Sequence, residues 1–141
     1  MERHVGVTVG CMLLSCVALA AQAPVVTGKP SPVVTGNRET PLRQVAGEGN
    51  IGVSNAVLRD QPEVRALRVV VEPGGTRIMH AHTDVKFHLF IPITGAMQLD
   101  LEGSPVATVA PWHPYYMSAG TRHGFRNTGA TPVEIMEIFV R

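Results

Sequence analysis

The chain has 141 residues, 45% hydrophobic and 16% charged, with a formal net charge of +1. That length suits one domain with a full core, not two. The composition excludes a disordered polar chain, and the near-zero charge argues against a nucleic-acid partner, which needs a basic excess. Gly 14 and Pro 11 point to many turns and hence a β-rich fold.

In chain order, the first segment is a leader. No charged residue occurs from Val5 to Gly28, and Val5 to Ala21 is apolar. Arg3 and the amino terminus form a thin positive flank, and Ala21-Gln22-Ala23 has the small-x-small pattern of a signal-peptidase site. Residues 1–23 are expected to be a signal peptide, with Ala18-Leu19-Ala20 as the alternative cleavage site. Two other readings stay open. One is an uncleaved membrane anchor. The other is a lipoprotein, from the loose lipobox Leu13-Leu14-Ser15-Cys16. Each puts the domain outside the cytoplasm, periplasmic or secreted, with no membrane span once the leader is cleaved. Cys11 and Cys16 are the only cysteines, so the folded part has no disulfide framework and no Cys-based zinc site.

Residues 24–45 read as an extended linker. Pro24-Val25-Val26-Thr27-Gly28-Lys29 recurs as Pro32-Val33-Val34-Thr35-Gly36-Asn37, a Pro/Gly-rich tandem repeat too short for a solenoid.

Residues 46–141 read as short strands between turns. The expected strands are 66–71, 76–82, 87–93, 96–101, 106–109, 115–117, 123–127 and 133–140. Glu72-Pro73-Gly74-Gly75 and Glu102-Gly103-Ser104-Pro105 are turn signals. No helical periodicity with caps interrupts them. Such a pattern predicts an all-β sandwich or barrel, in which Met97, Leu99 and Met136 belong to the core.

His80, His82 and His88 fall within nine residues, and His123 follows later. Alternate residues of a strand share a face, so His80 and His82 point together, along with Ile78, and Arg77 points away. Two imidazoles on one barrel strand can clamp a metal, and His88 on the next strand can return to the same point. By the same parity, Phe90 and Phe125 form pocket wall. Lys86 and Tyr116 are the candidates for catalytic proton transfer, and His113 reads as a loop residue.

These residues resemble the cupins, in particular the small single-domain type. Gly74, His80, His82 and Gly95 fit the first cupin motif, with His88 at the position of the motif glutamate. Gly120, His123 and Asn127 fit the second, with Trp112 and Ser118 where that motif has glycine and proline. The resemblance implies a double-stranded β-helix, or jelly-roll barrel, over residues 46–141. It also implies a divalent metal (Fe, Mn, Ni or Zn) held by His80, His82 and His123, with His88, or alternatively Asp84, replacing the glutamate. Four neutral imidazoles would leave the full divalent charge, favouring an anionic or chelating oxygen ligand. The function implied is an enzyme on a small oxygenated molecule, dioxygenase- or isomerase-like. The alternative is a non-catalytic module binding a small molecule or metal. Pairing into a homodimer is implied by the resemblance as well.

Overall fold

A computed structural model describes residues 39–141. The leader, its cleavage and lipidation sites, and the tandem repeat lie outside the described residues. Among the described residues nine strands run β1 (Arg43–Gln44), β2 (Ile51–Asp60), β3 (Val64–His80), β4 (Phe87–Pro92), β5 (Met97–Leu101), β6 (Ala107–Val109), β7 (Tyr115–Ser118), β8 (His123–Arg126) and β9 (Val133–Val140). Every pairing is antiparallel. Among the described residues there is no helix, and so none long and apolar enough to cross a membrane.

The long strand β3 organises the barrel. Its first half pairs with β9 from Val64↔Val140 to Val71↔Val133. Its second half pairs with β8 from Thr76↔Arg126 to His80↔His123. One sheet therefore runs β2-β3-β9-β4-β7 and the other β6-β5-β8-β3, with β3 passing between them. This is the jelly-roll arrangement, and it leaves little free sheet edge. The turn expected at 72–75 is a corner within one strand instead. Gly74 takes a φ of 74°. A Cβ on Gly75 would stand 2.7 Å from the Glu72 carbonyl oxygen and 2.9 Å from that of Gly52. Only a bare backbone lets the chain bend there and keep both neighbours.

Two segments differ from the sequence expectation. Ile51–Asp60, whose Ser, Asn and Arg residues obscure its alternation, is the ten-residue strand β2, paired along β3 from Ile51↔Thr76 to Asp60↔Arg65. Residues 39–45, placed in the linker by their composition, are part of the fold. Arg43 and Gln44 pair with Asn55 and Ser54. The Thr40 N–H donates to the Val57 carbonyl at 3.1 Å, and the Val57 N–H donates back to the Thr40 hydroxyl at 2.8 Å.

The core holds Val53, Leu67, Val69, Val71, Phe90, Met97, Leu99, Phe125, Ile135 and Phe139. Each such side chain gains about 1.5–3 kcal/mol by leaving water. On β9 the inward residues are Val133, Ile135, Glu137 and Phe139. Met136, expected in the core, therefore points to the outer face. β9 carries apolar residues at both parities, so its alternation alone does not choose a face.

Candidate metal centre

Three parts of the barrel deliver the histidines. β3 ends at His80, and the chain enters the 81–86 loop, where the His82 carbonyl accepts the Gly120 N–H at 2.8 Å. β4 sends His88 and Phe90 inward, and β8 sends His123 and Phe125 inward. The rings meet. Centroid distances are 5.0 Å for His80–His82, 4.3 Å for His80–His123, 5.5 Å for His82–His123, 5.2 Å for His82–His88 and 5.0 Å for His88–His123.

Ring orientation is set by the backbone. His80 Nδ1 lies 2.9 Å from the Ile78 carbonyl, and His123 Nδ1 lies 3.0 Å from the Thr121 carbonyl. A carbonyl only accepts, so each Nδ1 carries the proton and each Nε2 offers a lone pair to the cluster. Burial depresses the proton affinity of these rings. His80 titrates below its ordinary value, and His82 and His123 are pushed down to about 4. Neutral imidazole is the form that ligates metal.

A divalent ion fits what surrounds these rings. The Nε2 atoms of His82, His88 and His123 are buried with no hydrogen-bond partner among the described residues, as are His88 Nδ1 and Glu137 Oε1. Buried polar atoms are normally satisfied, and so many orphans in one spot point to a missing common partner. Two sets of donors lie within 4.8 Å of one another: His80, His82 and His123, and His88, His123 and Glu137.

Glu137 was not singled out from the sequence. It sits on β9 opposite Phe90 of β4 and Leu67 of β3, in the middle of its sheet. Burial pushes its carboxyl up, but the facing His88, His82 and His123 rings outweigh this and hold it below its ordinary value. The usable signal was its parity with Val133, Ile135 and Phe139, a charge on an otherwise apolar face.

Arg77 was also misplaced, because β3 is not regular. Arg77 pairs with Phe125 and His80 with His123, so three steps on β3 match two on β8. This bulge reverses parity and turns Arg77 to the same side as His80, while Ile78 becomes exposed. Gly124 makes room for it, since a Cβ there would meet the Arg77 carbonyl oxygen at 2.8 Å.

Arg77, His80, His82, Phe125, Glu137 and Phe139 share a cavity of about 170 Å³. Asp84 stands at its rim, exposed, outside both donor sets. Phe90 does not line the cavity; it is fully buried, 5.2 Å behind the Phe125 ring. Tyr116 is 59% exposed and packs on Phe87 outside the barrel, because it pairs with outward-facing Leu89. Lys86 is exposed in the preceding loop, and His113 is exposed in its own.

Residues 67–139, more than half of the chain, match the cupin domain family (Cupin_2). The chain belongs to that family. The cupin likeness extends to solved structures. An RmlC-like cupin from Shewanella frigidimarina is 16% identical, with a TM-score of 0.59, over 72% of this chain and 83% of its own. The polyketide cyclase RemF from Streptomyces resistomycificus is 20% identical, with a TM-score of 0.62, over 71% and 72%. A predicted oxalate decarboxylase from Thermotoga maritima is 20% identical, with a TM-score of 0.57, over 62% and 79%. At such identities the likeness shows the fold alone. No curated protein matches the chain.

The cupin motif positions keep their backbone roles here. Gly120 has a φ of 76°, and Trp112 has a φ of 63° where the motif has glycine. Asn127 is fully buried and structural. Its Nδ2 donates to the Val71 and Thr131 carbonyls at 2.9 and 2.8 Å, and its Oδ1 accepts the Gly129 N–H at 2.9 Å.

Proposed function

We propose that this cupin is an extracytoplasmic metal-dependent enzyme acting on a small anionic or chelating oxygen compound, with dioxygenase- or isomerase-like chemistry. His80, His82, His88 and His123 hold the ion. The observation that carries this reading is the convergence of the four rings, with the Nε2 atoms of His82, His88 and His123 buried and without a hydrogen-bond partner among the described residues. A bound Fe, Mn, Ni or Zn ion would supply a Lewis acid, and iron would also supply redox chemistry. The protein's own contributions are geometric and electrostatic. Backbone carbonyls fix His80 and His123 so that Nε2 faces inward. Phe125 and Phe139 contribute apolar rings to the cavity wall.

Arg77 supports the anionic class of substrate. It is half-buried, and burial lowers its proton affinity against the opposing pull of Glu137. Among the described residues it makes no ion pair within 4.0 Å. A cation in that position can take a substrate carboxylate or enolate. The similar structures include a polyketide cyclase and a predicted oxalate decarboxylase.

The second reading, a non-catalytic binding module, is favoured by the placement of Tyr116 and Lys86. Both lie outside the cavity lining, which leaves the cavity without either proposed proton carrier in its wall. Elemental analysis of protein purified without an affinity tag, then O₂ uptake with candidate enolates, separates the readings. Stoichiometric metal with turnover is expected. Metal without turnover supports the binding module, and metal below stoichiometry after reconstitution overturns both. Residues 1–23 as a cleaved leader and a homodimer complete the proposal. They are tested by amino-terminal sequencing of the mature protein and by light scattering.

A further inference from the structure

The buried carboxylate of Glu137 has no role in a site of four imidazoles. We propose that Glu137 is itself a ligand of the metal, so that the carboxylate the cupin motif carries on β4 is supplied here by β9. The proposal rests on the metal-site reading above and adds a ligand to it.

Three observations converge. The first is distance. Glu137 Oε1 and His88 Nε2 are 3.6 Å apart. A hydrogen bond between them would measure roughly 2.9 Å. Two donors each about 2.1 Å from a shared ion stand roughly 3.0–3.5 Å apart. At 3.6 Å the pair is beyond a hydrogen bond and within about 0.1 Å of the spacing of two ligands around one cation.

The second is isolation. Both atoms are buried without a hydrogen-bond partner, and among the described residues no Lys or Arg nitrogen lies within 4.0 Å of Glu137. A buried carboxylate is retained when something pairs with it. Here the described ionisable group nearest its carboxylate is the His88 imidazole, and Arg77 acts on it only from beyond 4.0 Å.

The third is connectivity. The donor set His88, His123 and Glu137 shares His123 with the set His80, His82 and His123. One ion beside His123 is therefore within reach of residues from both. The register explains how a carboxylate can move between strands. β4 and β9 are hydrogen-bonded neighbours, with His88↔Phe139 and Phe90↔Glu137, so His88 and Glu137 are diagonal on one face. His88 occupies the motif's place on β4, and Glu137 restores the negative charge from one strand away. The site then cancels one of the ion's two charges, as the motif glutamate would, in place of the uncompensated charge expected of four histidines.

The test uses the full protein loaded with Co(II), read by chelator competition and by the visible ligand-field bands. Glu137→Gln is expected to weaken Co(II) binding by at least about 100-fold and to shift the bands. His88→Glu placed in that background is expected to recover affinity to within about tenfold, because the carboxylate returns to β4. Unchanged affinity in Glu137→Gln overturns the proposal. So does weakened binding with unchanged bands, which would make Glu137 a positioning residue for His88. Should Glu137→Gln fail to fold, Glu137→Asp withdraws the carboxylate by one methylene and is judged on the same two readouts. The double variant His80→Ala/His82→Ala tests the underlying site separately. If it binds Co(II) as the parent does, the metal-site reading fails irrespective of position 137.

Discussion

Strand β9 carries two glutamates three residues apart, and the fold treats them in opposite ways. Glu134 faces outward. Arg68 grips it with Nη2 at 2.6 Å and Nε at 3.2 Å, and Arg68 also reaches Glu39 at 3.0 Å. These bonds raise the Arg68 proton affinity further above its ordinary value. Glu137 faces inward toward imidazole rings, and among the described residues no Lys or Arg nitrogen lies within 4.0 Å of it. On the outer face the protein satisfies its carboxylate completely and exposes the pair to water. On the inner face it leaves carboxylate and imidazoles lacking a common positive partner. The contrast separates a structural ion pair from a cluster of donors that could hold a metal ion.

The largest effect that can break this contrast is at His123, the ring shared by both donor sets. His123→Ala is expected to lower metal affinity by more than about 100-fold, measured by chelator competition. Retention of parental affinity would dissolve the distinction between the two faces. Next comes metal itself. Saturation at 100 times the dissociation constant should stabilise the folded protein by about 2.7 kcal/mol, and a chelator should remove that gain in a thermal melt. His123→Ala should show neither response.

Acid sharpens the comparison further. His82 and His123 fall from 6.5 in the unfolded chain to about 4 in the folded one. Between those values the unfolded chain binds more protons, so acidification favours unfolding. The metal-free protein should lose stability as pH falls from about 6.5 to about 4, with the slope ending once the folded rings also protonate. A melting temperature that stays flat across that window in chelator would mean that the rings are not held neutral. The smallest effect belongs to the outer glutamate. Arg68 and Glu134 are 35% and 38% exposed. Glu134→Gln should therefore cost no more than about 1 kcal/mol, less in high salt, and leave metal affinity untouched.

How much of this was written in the order of residues depends on whether the strand carrying them is regular. The barrel and the four histidines were legible because Gly, Pro and alternation mark β4, β5 and β8 clearly, and because the motif spacing is local. Glu137 was hidden by the apolar residues on both faces of β9. Its side is settled by pairing with Phe90 and Leu67, which only the assembled sheet supplies. Arg77 was hidden by the extra residue in β3, since parity counted along one strand cannot register a mismatch with its neighbour. β2 was hidden by its polar content, and it is a strand because β3 offers a long partner.

Position 124 shows how little matter can decide which side chains of a strand share one side. The glycine there leaves the space into which the neighbouring strand kinks, and past that kink His80 comes to the same side of the barrel as Arg77. An alanine at that point would press one methyl group against the kinked backbone. The step that brings His80 and Arg77 to one side would then be disturbed although neither residue had been altered.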